Sequence, residues 1–486
     1  MIPGWRLRPV LRWIEPLMMV LVLAGIVRAY FFFRLNAHLP QPFFYEPFDT
    51  WMDWFNTAYW AHEKGAYDAW GSVYPPLSFA LLRIFSKDSC YVETNGYAAR
   101  ECDWVGLVTL HGFFLLNVLL LYLTFRKIDR STAPWRALAL GFGLPSLFGL
   151  ERGNLIVVCF TCVILGFGPL LKSARLRWIA AGMAVNFKVY VVAGIVPHLL
   201  RRRWRWFEGA ILATLAVYVV SYAIVGQGTP FEIYHNIVDF SDLYQATSFL
   251  DLWYAGTYAP MMSLLEGQTQ LAAAVIGSRN VDIVATVLPL LLRAVQGSIV
   301  LAAVGAWIRP EAVPMYRLTF LGLAMAMISA EPGGYTQSIL IFFVFMERAR
   351  SPGRGWAIFA SYVLCLPYDF TLDEIPPLVQ ESYLAGHQTF FTYYITVGPF
   401  IRPLLILSLA FALSWVSIRD VWADIRSQGW KDRWRYRHDA PVMVGKGGAV
   451  RPRLGAAVTS LAAGNRRGAQ SLDGMRAVAV IPDKAR

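Results

Sequence analysis

The chain has 486 residues, of which 56% are hydrophobic and 16% charged, and its mean hydropathy is +0.45. A soluble protein of this length has too little interior to bury so much apolar surface, so the composition excludes a soluble enzyme and predicts a polytopic membrane protein. Most of the net charge of +12 lies after residue 418, and no folded basic motif accompanies it, which argues against nucleic acid as a partner.

Apolar runs recur along the chain at lengths near the roughly 20 residues that a helix needs to cross a bilayer. They cover residues 17–35, 104–125, 134–150, 154–171, 207–226, 283–308, 316–330, 335–346, 356–367 and 393–416. We therefore predict an all-α membrane domain over residues 1–416, with about 10 to 13 transmembrane or re-entrant helices. Residues 178–199 have arginines on both sides, which predicts either a pair of short re-entrant helices around Asn186 and Lys188 or a misplaced boundary.

The distribution of Arg and Lys predicts the orientation, because short cytoplasmic flanks retain positive charge. Arg6, Arg8 and Arg12 place the amino terminus inside, and the later basic flanks alternate accordingly. The protein is predicted to be a multi-pass protein of a bacterial inner membrane with both termini in the cytoplasm. Three large loops, 36–103, 227–282 and 368–392, then face the periplasm, and residues 417–486 form a basic, disordered cytoplasmic tail.

The first outer segment holds two acids among aromatic residues. Asp49 and Asp53 stand in the stretch 44–83, which closes with Tyr74 and two prolines. A carboxylate can take a proton from an attacking hydroxyl, and aromatic faces suit sugar rings. The spacing of four places both acids on one face if the stretch is helical. An acid at a helix start is also the pattern of an ordinary cap.

The cysteines and histidines indicate structural roles and not a metal site. Cys90 and Cys102 lie twelve residues apart in the first outer segment and predict a disulfide. The histidines lack metal-ligand spacing and are predicted to make surface hydrogen bonds; they are His62, His235 and His387. The cysteines of the apolar runs are predicted to be small core residues; they are Cys159, Cys162 and Cys365.

An aspartate after the first helix, an aromatic run, a glycine and Tyr-Pro-Pro resemble the first outer loop of GT-C glycosyltransferases. Within them, glycosyltransferase family 87 is the most similar, a family that includes polyprenol-phosphate-mannose-dependent mannosyltransferases. Fragments 151–154, 186–190 and 331–335 agree with it in order and in predicted sidedness, so the resemblance spans residues 17–416.

The resemblance implies a GT-C-like fold and an inverting transfer on the outer face of the membrane. One sugar, mannose or similar, passes from a polyprenyl-phosphate donor to a hydroxyl of a glycan or glycolipid acceptor, with membrane lipids as the other partner. No cofactor or divalent metal is required. Asp49 occupies the family's place for the base, but the aromatic neighbours that follow that aspartate in the family follow Asp53 here, so either can be the base.

Further site residues follow from the charge and shape of the substrates. Fixed cations stabilise a departing phosphate, and the candidates are Arg152, Lys188 and Arg402. The alternative is a plain ion pair, to Glu151 for Arg152 and to Glu331 for Arg402. Predicted sugar or acceptor contacts are Trp54, Tyr59, Tyr74, Asn154, Glu331 and Tyr335. Aromatic residues of the second outer segment are read either as a sugar-binding wall or as an interfacial belt; they are Tyr234, Tyr244, Trp253 and Tyr258.

Two other functions compete with this prediction. A polysaccharide polymerase or ligase would use a whole lipid-linked oligosaccharide and would favour arginines over an acid pair in its outer loops. A flippase or transporter of lipid-linked sugars would show a charged cavity through both leaflets. The acid pair, together with the lack of an internal repeat, favours transfer of a single sugar.

Overall fold

The computed structural model describes residues 8–63, 65–92, 95–243, 252–329 and 333–430, which are helical apart from one hairpin. The helices are α1 Arg8–Asn36, α2 Met52–His62, α3 Pro76–Ile84, α4 Gly96–Cys102, α5 Trp104–Ile128, α6 Ala133–Gly141, α7 Leu144–Arg152, α8 Ile156–Phe167, α9 Ala174–Phe187, α10 Pro197–Leu200, α11 Trp204–Val225, α12 Pro230–Leu243, α13 Ala259–Gly267, α14 Thr269–Ile276, α15 Ser278–Ile308, α16 Met315–Ile328, α17 Gln337–Val344, α18 Pro352–Leu364 and α19 Gly398–Gln428. The strands are β1 Thr371–Ser382 and β2 His387–Thr396.

Five helices of the described residues, α1, α5, α11, α15 and α19, are long and apolar enough to cross a membrane. They correspond to the predicted runs 17–35, 104–125, 207–226, 283–308 and 393–416. Only 17% to 56% of their most apolar stretches is buried within the protein, so broad apolar faces remain for lipid. The prediction of an all-α polytopic membrane protein is confirmed.

Other predicted spans are assembled from shorter helices. The run 134–150 is broken into α6 and α7 at Gly143, where a side chain would place its Cβ 2.1 Å from the Ala139 carbonyl oxygen and 2.8 Å from Cys365 Cβ. The chain of Cys365 comes close at this break and accepts a backbone hydrogen bond from Leu144 at 2.9 Å. In the region 178–199, α9 ends at Phe187 and a separate 3-10 turn follows an extended Lys188. This interruption agrees with two short helices, while their re-entry into a membrane stays a prediction.

A β-hairpin was not foreseen from the sequence. Strands β1 and β2 pair antiparallel, with a register shift between Ile375 and Leu378, where two prolines without N–H groups stand. The last long helix therefore begins at Gly398 and not at residue 393. The hairpin lies on the loop after α1, since Thr389 Oγ1 donates to the Asn36 carbonyl at 2.7 Å.

The last helix also reaches further than expected. Helix α19 continues to Gln428, through the residues that were assigned to the start of the tail. Asp420 in this extension accepts hydrogen bonds from Arg317 and Arg354 and so belongs to the helical domain. Residues 431–486 of the predicted tail lie outside the described residues.

The first outer segment is closed by a disulfide between Cys90 and Cys102, which confirms that prediction. The bond ties the end of α4 to the 3-10 turn before it. The remaining cysteines are buried, as predicted for core residues; they are Cys159, Cys162 and Cys365. The main hydrophobic core extends from α2 and α3 through α5 and α8 to α17, so the outer segment rests directly on the membrane helices.

Candidate functional site

Arg152 lies between the two aspartates that the sequence singled out. Its Nη1 atom is 2.6 Å from Asp49 Oδ2, and its Nη2 atom is 2.6 Å from Asp53 Oδ1. The planar guanidinium can bridge two carboxylates because its donors point along a fixed fork. Phe44 covers one face of the guanidinium at 3.7 Å from the ring centre. Arg152 thus pairs with the aspartates and not with Glu151, the alternative that its neighbour suggested.

The local backbone explains why these charges meet. Asp49 ends a 3-10 turn, Trp51 adopts a left-handed conformation with φ of 64°, and α2 then begins with Asp53 in its first turn. The Trp51 amide donates to the Glu151 carbonyl at 2.8 Å. Gly153 ends α7 with φ of 68°, and a Cβ there would lie 2.6 Å from the Trp51 carbonyl oxygen. Only glycine allows this contact between the two turns.

Asn154 joins the acid pair to two tyrosines. Its Nδ2 atom is 2.7 Å from Asp53 Oδ2, 3.1 Å from the Tyr335 hydroxyl and 3.3 Å from the Tyr74 hydroxyl. The side chain is almost fully buried, and its Oδ1 atom accepts from the Ile156 amide. Because both ends of the amide are held, the orientation of Asp53 is held as well.

Lys188 completes the polar end of the site. Its Nζ atom lies 3.5 Å from the Tyr74 hydroxyl and sits over the rings of Tyr74 and Tyr335, 4.6 Å and 5.6 Å from their centres. Cation–π contacts of this kind stabilise an ammonium group without neutralising it. Among the described residues, no carboxylate lies within ion-pair distance of Lys188. The group is therefore free to attract an anion from the adjoining space.

That space is a cavity of about 1950 Å³. Its polar lining contains Asp53, Tyr74, Arg152, Asn154, Lys188 and Tyr335, and an apolar part of its wall is formed by Leu288, Leu292, Ile406 and Leu407 of α15 and α19. Asp49 does not line the cavity. Its Oδ1 atom instead accepts a hydrogen bond from the Tyr97 hydroxyl at 3.2 Å. Of the two aspartates bound to Arg152, only Asp53 thus lines the cavity.

Negative charge exceeds positive charge around Arg152. Partial burial and the charge of Asp49 raise the pKa of Glu46, and Arg152 opposes that rise. Burial and the same aspartate also raise the pKa of Tyr97, so the phenol stays protonated and donates its hydrogen bond. Tyr97 was missed by sequence reasoning because it lies 48 residues from Asp49. The nearest signal was its position between the two disulfide cysteines.

Two predicted contacts among the described residues are not part of this arrangement. Trp54 is fully buried in the core, which makes its assignment as a sugar contact wrong, since no face of its ring is accessible. Tyr59 does not reach the cavity and packs edge-on against Trp70. Glu331 lies outside the described residues.

Arg402, a predicted phosphate ligand, forms its hydrogen bonds away from the cavity. Its Nη1 atom is 2.9 Å from Asp369 Oδ2, and its Nη2 atom donates to the Trp253 carbonyl at 2.8 Å. The side chain is buried, is absent from the cavity wall and pairs with Asp369, while the suggested partner Glu331 lies outside the described residues. Arg402 therefore holds the outer segments together and does not face a substrate.

Some of the aromatic candidates line the cavity and others do not, and none of the three histidines lacks a local partner. Trp253 and Tyr258 line the cavity, Tyr234 is largely exposed and does not, and Tyr244 lies outside the described residues. Each predicted histidine has a local partner: His62 contacts Ser86 Oγ at 2.9 Å, His235 lies 3.3 Å from Asp239, and His387 contacts the Ala385 carbonyl at 3.0 Å. Among the described residues, no three His, Cys, Asp or Glu side chains group as a metal site.

Comparison with known families identifies the chain. The profile of Glycosyltransferase family 87 matches residues 72–330, just over half of the protein. The matched stretch contains Tyr74, Arg152, Asn154 and Lys188 and begins after Asp49 and Asp53. Comparisons with curated proteins and with solved structures returned no match. Together with the helical membrane fold, the match shows that the chain belongs to glycosyltransferase family 87 and is a membrane glycosyltransferase.

Proposed function

We propose that the protein transfers a single sugar, mannose or a similar hexose, from a polyprenyl-phosphate donor to a hydroxyl of a glycan or glycolipid acceptor, with inversion. The reaction takes place on the outer face of a bacterial inner membrane, with both termini in the cytoplasm. One observation carries the proposal: a carboxylate, Asp53, and an ammonium group without a carboxylate partner, Lys188, line the same cavity. Asn154 and Tyr74 lie between them.

Asp53 is the group best placed to act as the base. Its side chain is 22% exposed and lines the cavity, whereas that of Asp49 is 15% exposed and does not line it. Each Asp53 oxygen accepts one hydrogen bond, from Arg152 or Asn154, and keeps a lone pair for the acceptor. The acceptor hydroxyl bonds to the anomeric carbon and passes its proton to this carboxylate. Asp49 then positions Arg152 and does not touch substrate.

Lys188 is the group best placed to stabilise the leaving phosphate. As the acceptor oxygen bonds to the anomeric carbon, the bond from that carbon to the phosphate oxygen breaks, and the phosphate monoester keeps the electron pair. A fixed ammonium group stabilises the added negative charge. The acceptor approaches from the Asp53 side and the phosphate leaves on the Lys188 side. A single displacement between opposite sides inverts the anomeric carbon.

The apolar part of the cavity fits a lipid-linked donor. Leu288 and Leu292 belong to α15 and Leu407 belongs to α19, and both helices are candidate membrane spans. A polyprenyl chain resting on these side chains would leave water while its phosphate remains near Lys188. Sites that combine an apolar wall with a few polar groups are typical of such amphipathic ligands.

The test is glycosyl transfer by the purified protein in detergent. Synthetic polyprenyl-phosphate sugars serve as donors and a mixed pool of glycans and glycolipids as acceptors, with product anomers assigned by NMR. We expect Asp53→Asn to lower kcat by about 10²- to 10⁴-fold with donor binding retained. Lys188→Met should weaken both donor binding and turnover.

Matched controls test whether removing any acid or any lysine lowers transfer, or only removing Asp53 or Lys188. Asp88→Asn changes an exposed acid of the same outer segment, and Lys127→Met changes a lysine that donates to the Pro169 carbonyl. Both should transfer normally. If the wild type uses no lipid-phosphate sugar, or if Asp53→Asn and Asp49→Asn remain fully active, the proposal fails. Transfer from a lipid-linked oligosaccharide would then support the polymerase or ligase.

A further inference from the structure

Two tryptophans, Trp60 and Trp70, line the same cavity. The rings of Trp60 and Trp70 are stacked, with centroids 5.8 Å apart and planes inclined by 18°. Trp70 is 48% exposed, and Tyr59 supports its edge at 6.2 Å. An exposed indole supported from behind presents a flat apolar face that nothing in the described residues covers.

Helix α2 connects this face to the proposed base. Asp53, Asn56, Thr57 and Trp60 all line the cavity, and their spacing places them on one side of the helix. Trp60 lies seven positions after Asp53, which corresponds to about 10 Å along the helix axis. A single sugar ring does not cover this length. An acceptor that reaches Trp60 while its hydroxyl meets Asp53 therefore has more than one ring.

The chemistry of this region favours a carbohydrate. Carbohydrate rings carry apolar C–H faces that stack on indoles and hydroxyls at their edges that need polar partners. Asn56 and Asp68 also line the cavity, and their amide and carboxylate groups can supply such partners. An interfacial aromatic belt would instead be expected on the lipid-facing side of a spanning helix, and α2 is not one of the candidate spans.

We propose that Trp60 and Trp70, together with Asn56 and Asp68, form a subsite for a second sugar residue of the acceptor. The acceptor is then a glycan of at least two residues, and the transferred sugar is added to its terminal unit. This inference rests on the proposed function, since it takes Asp53 as the position of the reacting hydroxyl.

The experiment compares monosaccharide and disaccharide alkyl glycosides that share the terminal sugar. In the wild type, KM should be roughly tenfold lower for the disaccharide, as expected for one stacking contact. Trp70→Ala should remove this preference and leave kcat and the monosaccharide KM unchanged. Trp70→Phe should restore part of it. Trp422→Ala, an exposed tryptophan near the end of α19, is the matched control and should change nothing.

Equal KM values for both acceptors in the wild type, or an unchanged preference in Trp70→Ala, would overturn the subsite. So would a loss for both acceptors accompanied by weaker insertion into lipid vesicles, which would identify an interfacial anchor. Disaccharide binding is measured separately by the difference in tryptophan fluorescence quenching between the wild type and Trp70→Ala. If this binding signal depends on Trp70 but no donor supports transfer, the subsite stands and the proposed transfer reaction fails.

Discussion

Two regions of this protein are built from the same residue types and serve different ends. In the outer site, Arg152 bridges Asp49 and Asp53. Toward the other end of α1, Arg136 holds Glu15 through two hydrogen bonds of 2.7 Å. Glu15 precedes the end of α1 by 21 residues, which is about 30 Å along the helix axis.

The two clusters differ in whether their charged and hydrogen-bonding groups all have partners within the protein. Arg136 and Glu15 have side-chain exposures of 3% and 7%. Arg136 also donates to the carbonyls of Phe345 and Glu347, and Tyr362 donates to Glu15 at 3.0 Å. Neither residue lines the cavity of the outer site. Such a saturated ion pair holds helices together but has nothing left for a ligand.

The outer site has charged groups that can still bind a ligand. Asp53 is 22% exposed to a cavity, and Lys188 on the same wall has no carboxylate partner among the described residues. An arginine paired with a partly or fully buried acid is therefore not by itself a sign of chemistry. A functional site is indicated when the ion pair borders a cavity and a second charged group without an ion-pair partner lies close by.

The largest expected effect comes from removing the arginine of the outer site. Arg152→Met leaves two carboxylates next to each other and misplaces Asp53, so transfer should fall by about 10²-fold or more. Arg152→Lys keeps the charge but loses the fork and should be intermediate. Transfer rates and donor binding are measured against Arg279→Met, an exposed arginine of α15. Full activity of Arg152→Met would remove the outer cluster from the site.

The corresponding change in the inner cluster should act on stability. Arg136→Met leaves Glu15 buried without its partner, which costs about 3–5 kcal/mol. We expect a lower thermal midpoint in detergent and less folded protein, with transfer per folded molecule close to that of the wild type. The double variant Glu15→Gln with Arg136→Met should recover part of the loss. A selective loss of turnover at unchanged stability would contradict the contrast between the clusters.

A smaller effect is expected from the backbone contact that assembles the outer site. Gly153→Ala forces a left-handed alanine and a Cβ against the Trp51 carbonyl, at a cost of about 1–3 kcal/mol. Transfer should drop together with local stability, because the turn that carries Asp49 must move. Gly112→Ala in α5, where no atom lies within 4 Å of the added Cβ, is the matched control. Equal behaviour of both variants would show that the contact between the turns is dispensable.

The sequence by itself determined the class of protein, the long membrane helices and the segment that holds the site. Hydropathy acts along the chain, so the apolar runs at 17–35 and 104–125 could be read without knowing their neighbours. The disulfide was equally readable, because its two cysteines share one outer segment. The order of the short motifs pointed to the family that the comparison confirmed.

Only the tertiary structure decided which residues meet. Arg152 lies 103 residues from Asp49 and 99 from Asp53, and no periodicity relates positions that far apart. The same holds for the tryptophans of α2: Trp54, the predicted sugar contact, faces the core, whereas Trp60, which the sequence did not single out, faces the cavity. Pairing and burial depend on how distant segments pack, and that packing separated the buried ring from the accessible one.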